Sequence, residues 1–169
     1  APRLDADRFR IEAAIAKAAQ DPAAALERIL ELPPSKAGTA LDRLAVIWVD
    51  RDVHGALAAA EDIADESMRD SLKASVMRAW TRVDPDALLD YVLDLDPDRR
   101  NEALRTGGLQ AFALVDPQRA LQVAEGVPGE LGTMMKRTAL MGIARDDPLA
   151  AISLAETLPA SDREMMLSV

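Results

Sequence analysis

A chain of 169 residues with a net charge of −9, 49% hydrophobic residues and no cysteine excludes several classes of site and partner. The negative charge argues against nucleic acid or an anionic membrane as the partner of the whole surface, and the lack of cysteine excludes disulfides and thiolate metal sites. No apolar run approaches the roughly 20 residues that span a bilayer. Good helix formers such as Ala, Leu, Arg and Glu dominate, so the composition predicts an all-α fold.

The dipeptide Asp-Pro, followed by a small residue and a large aliphatic one, recurs at a nearly constant interval. It stands at Asp21, Asp84, Asp116 and Asp147, and a degenerate copy without proline begins at Asp52. Successive Asp positions are 31, 32, 32 and 31 residues apart, and a constant interval of this size indicates a repeat architecture. Because Asp is a good N-cap and Pro fits the first helical position, each copy predicts the start of a helix.

In chain order, the pattern predicts an N-terminal helix over residues 1–20 and then five helical hairpins, all within a single domain, 1–169. The hairpins cover about residues 21–51, 52–83, 84–115, 116–146 and 147–169, the last of them truncated. In each, a first helix of about eleven residues ends at a Pro or another breaker, and a longer second helix follows. Candidate N-caps of the second helices are Ser35, Asp65, Asp96 and Ser161. Successive hairpins of this kind form an α-solenoid.

A second column of residues supports the same alignment. The position four residues before the next Asp is occupied by Trp48, Trp80, Phe112 and Ile143, which include both tryptophans and one of the two phenylalanines of the chain. We therefore predict that these large side chains fill the space between consecutive hairpins.

Two-helix units of this length, with small residues at fixed positions and Pro at the junction, resemble α-solenoid repeats of the tetratricopeptide (TPR) or HEAT type from about Asp21 onward. The resemblance implies a non-enzymatic scaffold that binds a protein or a peptide. The alternative is an accessory or regulatory domain of a larger enzyme or secretion-system protein whose catalytic part lies outside this chain. The abundance of Ala, Arg, Asp and Leu suggests a bacterial source, and the compartment stays open between the periplasm, another exported location and the cytoplasm.

Charge is distributed unevenly between the two helices of the repeat. The five first helices hold fourteen acidic residues and only two basic ones, Arg28 and Arg119. Three of the acids, Glu31, Asp62 and Asp94, occupy equivalent positions near helix C-termini, where a carboxylate opposes the helix dipole. Either they pair with a basic side chain of a neighbouring helix, or they meet a cationic partner; the remaining interpretation is a solvated face that keeps the chain soluble.

A basic column lies in the second helices. Lys73, Arg105 and Lys136 each stand eleven residues before the following Asp. One interpretation is that their aliphatic stems cover the core while their charges reach water. The other is a basic stripe along a groove that holds an acidic peptide or a chain terminus.

The sequence predicts no catalytic residue, no metal site and no cofactor. His54, the only histidine, falls in the first turn of a helix and is expected to be exposed. Gly107 and Gly108 predict a kink in a second helix, and the three glycines Gly126, Gly129 and Gly132 predict a flexible connection. The methionines of the last third predict either core filling or an adaptable binding surface, and they are Met134, Met135, Met141, Met165 and Met166.

The two ends of the chain carry expectations of their own. A start at Ala1 instead of Met is expected of a processed chain or an excised fragment. The last hairpin stops at Val169 without the polar cap that a solenoid needs. We therefore expect either a piece of a longer protein or an array whose open C-terminal repeat closes on a partner or on a second copy.

Overall fold

The computed structural model describes residues 2–108 and 117–157, together with residues 160 and 163, and every regular element in these ranges is helical. The all-α prediction is therefore confirmed. The described residues form nine α-helices and one π-helical turn, in the order α1 (Pro2–Ala18), α2 (Pro22–Leu30), α3 (Pro34–Glu61), α4 (Glu66–Val83), α5 (Pro85–Asp94), α6 (Pro97–Ala103), the π turn (Leu104–Gly108), α7 (Pro117–Glu125), α8 (Gly129–Asp146) and α9 (Pro148–Thr157).

The chain divides into two compact units, of which the first ends at Asp84 and the second begins at Pro85. In the first unit α1 packs against α2 and α3, α2 against α3, and α3 against α4. In the second, α5 packs against α6 and the π turn, α7 against α8, and α8 against α9. Within the described residues, no helix is long and apolar enough to cross a membrane.

The predicted helix starts at the repeated Asp residues are confirmed wherever the structure describes them. Asp21, Asp52, Asp84 and Asp147 have φ between −143° and −159° and ψ between 84° and 92°, a non-helical conformation that opens a helix. Asp52 keeps this conformation although α3 runs on through it, and its Oδ1 accepts from the amide of Gly55 at 2.8 Å. The degenerate copy is thus a working cap without its proline. Asp116 lies outside the described residues.

The predicted caps of the second helices have mixed outcomes. Asp65 accepts from the amide of Met68 at 2.9 Å, and Asp96 accepts from that of Arg99 at 3.1 Å, so both are N-caps as predicted. The prediction of Ser35 is wrong, because α3 begins at Pro34 and no side chain caps it. Proline supplies a fixed φ at this point and leaves no amide to satisfy. Ser161 lies outside the described residues.

The core is built from small and aliphatic side chains at fixed repeat positions. The residue four places after each Asp is buried at all five positions, namely Ala25, Ala56, Leu88, Ala120 and Ala151. The aromatic column is buried too, with Trp48 5%, Trp80 6% and Ile143 8% exposed. Phe112 lies outside the described residues.

The glycines act differently from the expected flexible loops. The kink predicted at Gly107 and Gly108 is a π-helical turn that continues α6. Gly129 has a φ of +77°, the left-handed conformation that favours glycine, and it opens α8. The prediction that the flexible connection includes Gly132 is wrong, because Gly132 is buried inside α8. A Cβ there would lie 1.7 Å from the carbonyl oxygen of Val127.

Candidate functional site

A polar groove of about 220 Å³ lies between the first part of α3 and helix α4. Its lining, which we call the α3–α4 groove, consists of Asp42, Arg43, Val46, Ser75, Arg78, Ala79 and Arg82. Both helices are second helices of predicted hairpins. In a chain with a net charge of −9, a groove with three arginines and a single carboxylate is locally basic.

Asp42 organises the centre of the groove. Its Oδ1 accepts hydrogen bonds from Ser75 Oγ at 2.6 Å and from Arg78 Nη2 at 2.5 Å. Partial burial raises the pKa of Asp42, but the two hydrogen bonds and the charges of Arg78 and Arg82 outweigh burial. The pKa therefore lies below the ordinary value of 3.8. Asp42 stays ionised at neutral pH and fixes the Arg78 guanidinium.

Arg43 also lines the groove and is held by a residue of α1. Its Nη1 and Nη2 donate to Oε1 and Oε2 of Glu12 in α1 at 2.8 and 3.0 Å, the two-pronged geometry in which Arg binds a carboxylate best. This hydrogen bonding lowers the pKa of Glu12 and raises that of Arg43. Arg43 is therefore already neutralised within the first unit and has little charge to offer to a ligand.

Arg82 differs from the other two arginines of the groove. No ion pair joins it to any side chain in the part of the chain that the structure describes, and it is exposed. On the facing helix Val46 leaves 51% of its side chain in contact with solvent. The groove thus combines an available guanidinium with an exposed aliphatic side chain. Together these two can bind a carboxylate next to an apolar group.

The residues of the predicted basic column lie on three different elements, α4, the π turn and α8. Lys73 Nζ lies 2.9 Å from Glu61 Oε1, and the Lys73 side chain is only 16% exposed. This fits the interpretation in which the aliphatic stem covers the core. Arg105 is exposed on the π turn, and Lys136 is half-buried on α8. A continuous basic stripe of the three residues stays a prediction, since Lys73 belongs to the first unit and the others to the second.

The predicted acidic column does lie at helix C-termini. Glu31 and Asp62 are the C-cap residues of α2 and α3, Asp94 is the last residue of α5, and all three are exposed. Among the described side chains, none comes within 4.0 Å of these carboxylates as an ion-pair partner. Intramolecular pairing is therefore not found in that part of the chain. A solvated face and a cationic partner stay the two interpretations.

One of the two bases of the first helices neutralises its acidic surroundings. Arg119 of α7 donates through Nη1 to Asp86 Oδ1 at 2.6 Å and through Nη2 to Asp90 Oδ1, both in α5. Two carboxylates one turn apart on the same helix would otherwise repel each other. Arg119 thereby links α7 to α5 by charge-assisted hydrogen bonds.

His54 is exposed as predicted, but it has an additional contact. Its ring lies 5.7 Å from that of Trp80, with the two planes at 82°, so it covers the edge of the buried indole. Among the described residues, no group of three or more His, Cys, Asp or Glu side chains could hold a metal ion.

The sequence missed Asp42, Arg78, Arg82 and Val46. The ion pair between Glu12 and Arg43 could have been predicted from the repeat alignment. Both residues stand nine positions before the next Asp, and they carry opposite charges. Asp42 and Arg78 stand ten and six residues before theirs, so no column of the repeat alignment connects them.

Comparison with known proteins adds no further constraint: no family model, no curated protein and no solved structure matches the chain.

Proposed function

We propose that this chain is a non-enzymatic α-solenoid scaffold that binds a protein or peptide through the surface formed by its helical hairpins. Support for the solenoid comes from the four described Asp caps, which open helices with nearly the same backbone angles at the interval of the sequence repeat. The buried column of alanines and one leucine four places after each Asp supports it as well. Helices that are stacked by such a repeat present an extended surface, which is the usual binding element of solenoids.

The observation that carries the binding proposal is the pairing of Arg82 with Val46 across the α3–α4 groove. Arg82 offers a guanidinium that forms no ion pair with a described carboxylate, although its charge helps to lower the pKa of Asp42, and Val46 offers an apolar contact. Arg78 is held in place by Asp42, so the wall of the groove is organised before a ligand arrives. The ligand that fits is a peptide segment with a carboxylate, from an acidic residue or a chain terminus, beside an aliphatic side chain.

A random peptide library displayed with free C-termini and selected against the purified chain tests this proposal. We expect the enriched peptides to carry a carboxylate next to an apolar residue. The Arg82→Gln variant should weaken their binding by about tenfold or more, since a hydrogen bond to a charged group contributes roughly 1.5–3 kcal/mol. Val46→Glu should weaken it further by placing a like charge beside the ligand. Isothermal titration calorimetry measures both effects.

The matched control is Arg145→Gln, because Arg145 of α8 stands two residues before its Asp, as Arg82 does, and is similarly exposed. It should leave the affinity unchanged. A triple Gln variant of Lys73, Arg105 and Lys136 tests the basic stripe in the same assay. If no peptide is enriched, or if the enriched peptides bind Arg82→Gln and Val46→Glu as well as the original chain, the groove is not the binding site.

A further inference from the structure

Phe9 of α1 is exposed, although the residues at the same distance before the other Asp positions are buried. The position twelve residues before each Asp is occupied by Phe9, Ala40, Leu72, Leu104 and Met135. The last four are between 0% and 1% exposed, whereas Phe9 is 75% exposed. Phe9 therefore presents an aromatic ring to solvent at a position that the other helices use for the core.

The same face of α1 borders a cleft of about 330 Å³ between α1 and α2. The lining of this cleft, which we call the α1–α2 cleft, consists of Phe9, Arg10, Ala13, Arg28, Glu31 and Leu32. Leu32 is 4% exposed and forms the apolar floor, while Phe9 stands at the rim. The cleft is large enough to receive an aromatic side chain from outside.

The charges around the cleft complement one another. Two of its lining residues, Arg10 and Arg28, are basic, and Glu31 is acidic. Within the described residues, no ion pair links any of these three side chains to another. A patch with an apolar centre and charges of both signs is self-complementary, which is what a two-fold symmetric interface requires.

We propose that the α1–α2 cleft is a homodimer interface in which Phe9 of each copy enters the cleft of the other. The two-fold arrangement brings Arg10 of one copy opposite Glu31 of its partner, and the reverse pair forms at the symmetric position. A second copy of this chain offers a carboxylate to the two arginines of the cleft and an arginine to its Glu31, whereas a uniformly basic segment would meet two like charges and a uniformly acidic one would leave Glu31 opposite a like charge. This inference is independent of peptide binding at the α3–α4 groove.

Analytical ultracentrifugation from about 1 to 200 µM tests the proposal directly on the intact chain. We expect a reversible monomer–dimer equilibrium for the original sequence. Phe9→Glu should weaken dimerisation at least tenfold. The variant is expected to fold, because the side chain of Phe9 is mostly exposed. The matched control is Met141→Glu, which changes an exposed apolar residue of α8, 64% exposed, and should leave the dimer intact.

Charge reversal tests the symmetry of the interface. Arg10→Glu and Glu31→Arg should each weaken the dimer by placing like charges opposite one another, and the double variant should restore it. Circular dichroism of each variant verifies that the helices are retained. A chain that is monomeric over the whole concentration range, or a dimer that Phe9→Glu leaves unchanged, overturns the proposal. Failure of the double variant to restore dimerisation also overturns it, because the two-fold arrangement then does not hold.

Discussion

Arg78 Nη2 of α4 lies 2.5 Å from Oδ1 of Asp42 in α3, and the two residues are 36 positions apart in the sequence. The pair joins α3 to α4, which pack against each other. Ser75 donates to the same carboxylate oxygen, so Asp42 receives two hydrogen bonds from α4. The site is only partly buried, and solvent screens it. Its value to stability is therefore modest, and its main effect is to fix the wall of the α3–α4 groove.

Asp42→Asn should lower the free energy of unfolding at pH 7 by about 1 kcal/mol, since it weakens the contact with Arg78. The folded-state pKa of Asp42 lies below 3.8, so the stabilising contribution of its charge is fully present above that pH. It is lost as the pH falls through the folded-state pKa. Urea unfolding at pH 7, 5, 4 and 3 measures the difference between the two proteins. We expect that difference to be constant at the two higher pH values and to shrink at the lowest.

Asp50→Asn is the control for this comparison, because it removes an exposed carboxylate from the same helix. It should change stability by less than about 0.5 kcal/mol. A difference for Asp42→Asn that stayed the same down to pH 3 would contradict the assignment of its charge as the stabilising group.

Trp80→Ala should lower the free energy of unfolding by about 3–5 kcal/mol, the usual cost of removing a large aromatic side chain from a core. Trp80 is 6% exposed, and its replacement by alanine also removes the ring contact with His54. Thermal unfolding followed by circular dichroism provides the measurement. Phe9→Ala, in dilute solution, removes an aromatic ring that is 75% exposed and should leave the melting temperature nearly unchanged. Equal effects of the two substitutions would show that the tryptophan column is not part of the core.

Gly132→Ala and Gly38→Ala should change stability in opposite directions. A Cβ at Gly132 would lie 1.7 Å from the carbonyl oxygen of Val127, so the backbone must shift, at about 1–3 kcal/mol or more. At Gly38 in α3 nothing lies within 4 Å of a new Cβ. Alanine there should stabilise the chain by roughly 0.5–1 kcal/mol, because it restricts the unfolded backbone. Chemical denaturation of the two variants checks the signs. A neutral Gly132→Ala would disprove the close approach of Val127 to α8.

The sequence by itself determined the local structure of this protein. An Asp that accepts from an amide three residues later opens a helix in any context, so Asp21 and Asp52 were predictable without knowledge of the fold. The buried positions followed equally well from the spacing of apolar residues, as Trp48 and Trp80 illustrate. The helix caps depend on hydrogen bonds within a few residues, and the buried positions depend on the regular spacing of apolar residues.

Only the tertiary structure decided which charges meet. Lys73 lies next to Glu61, and Asp42 meets Arg78 although these two stand at different repeat positions. These pairs depend on how far one helix is rotated and shifted against the next, a quantity that the helical period leaves open. The close approach of Val127 to Gly132 has the same origin. The repeat fixes where helices begin and which face is apolar, whereas packing of the actual side chains fixes the groove between α3 and α4.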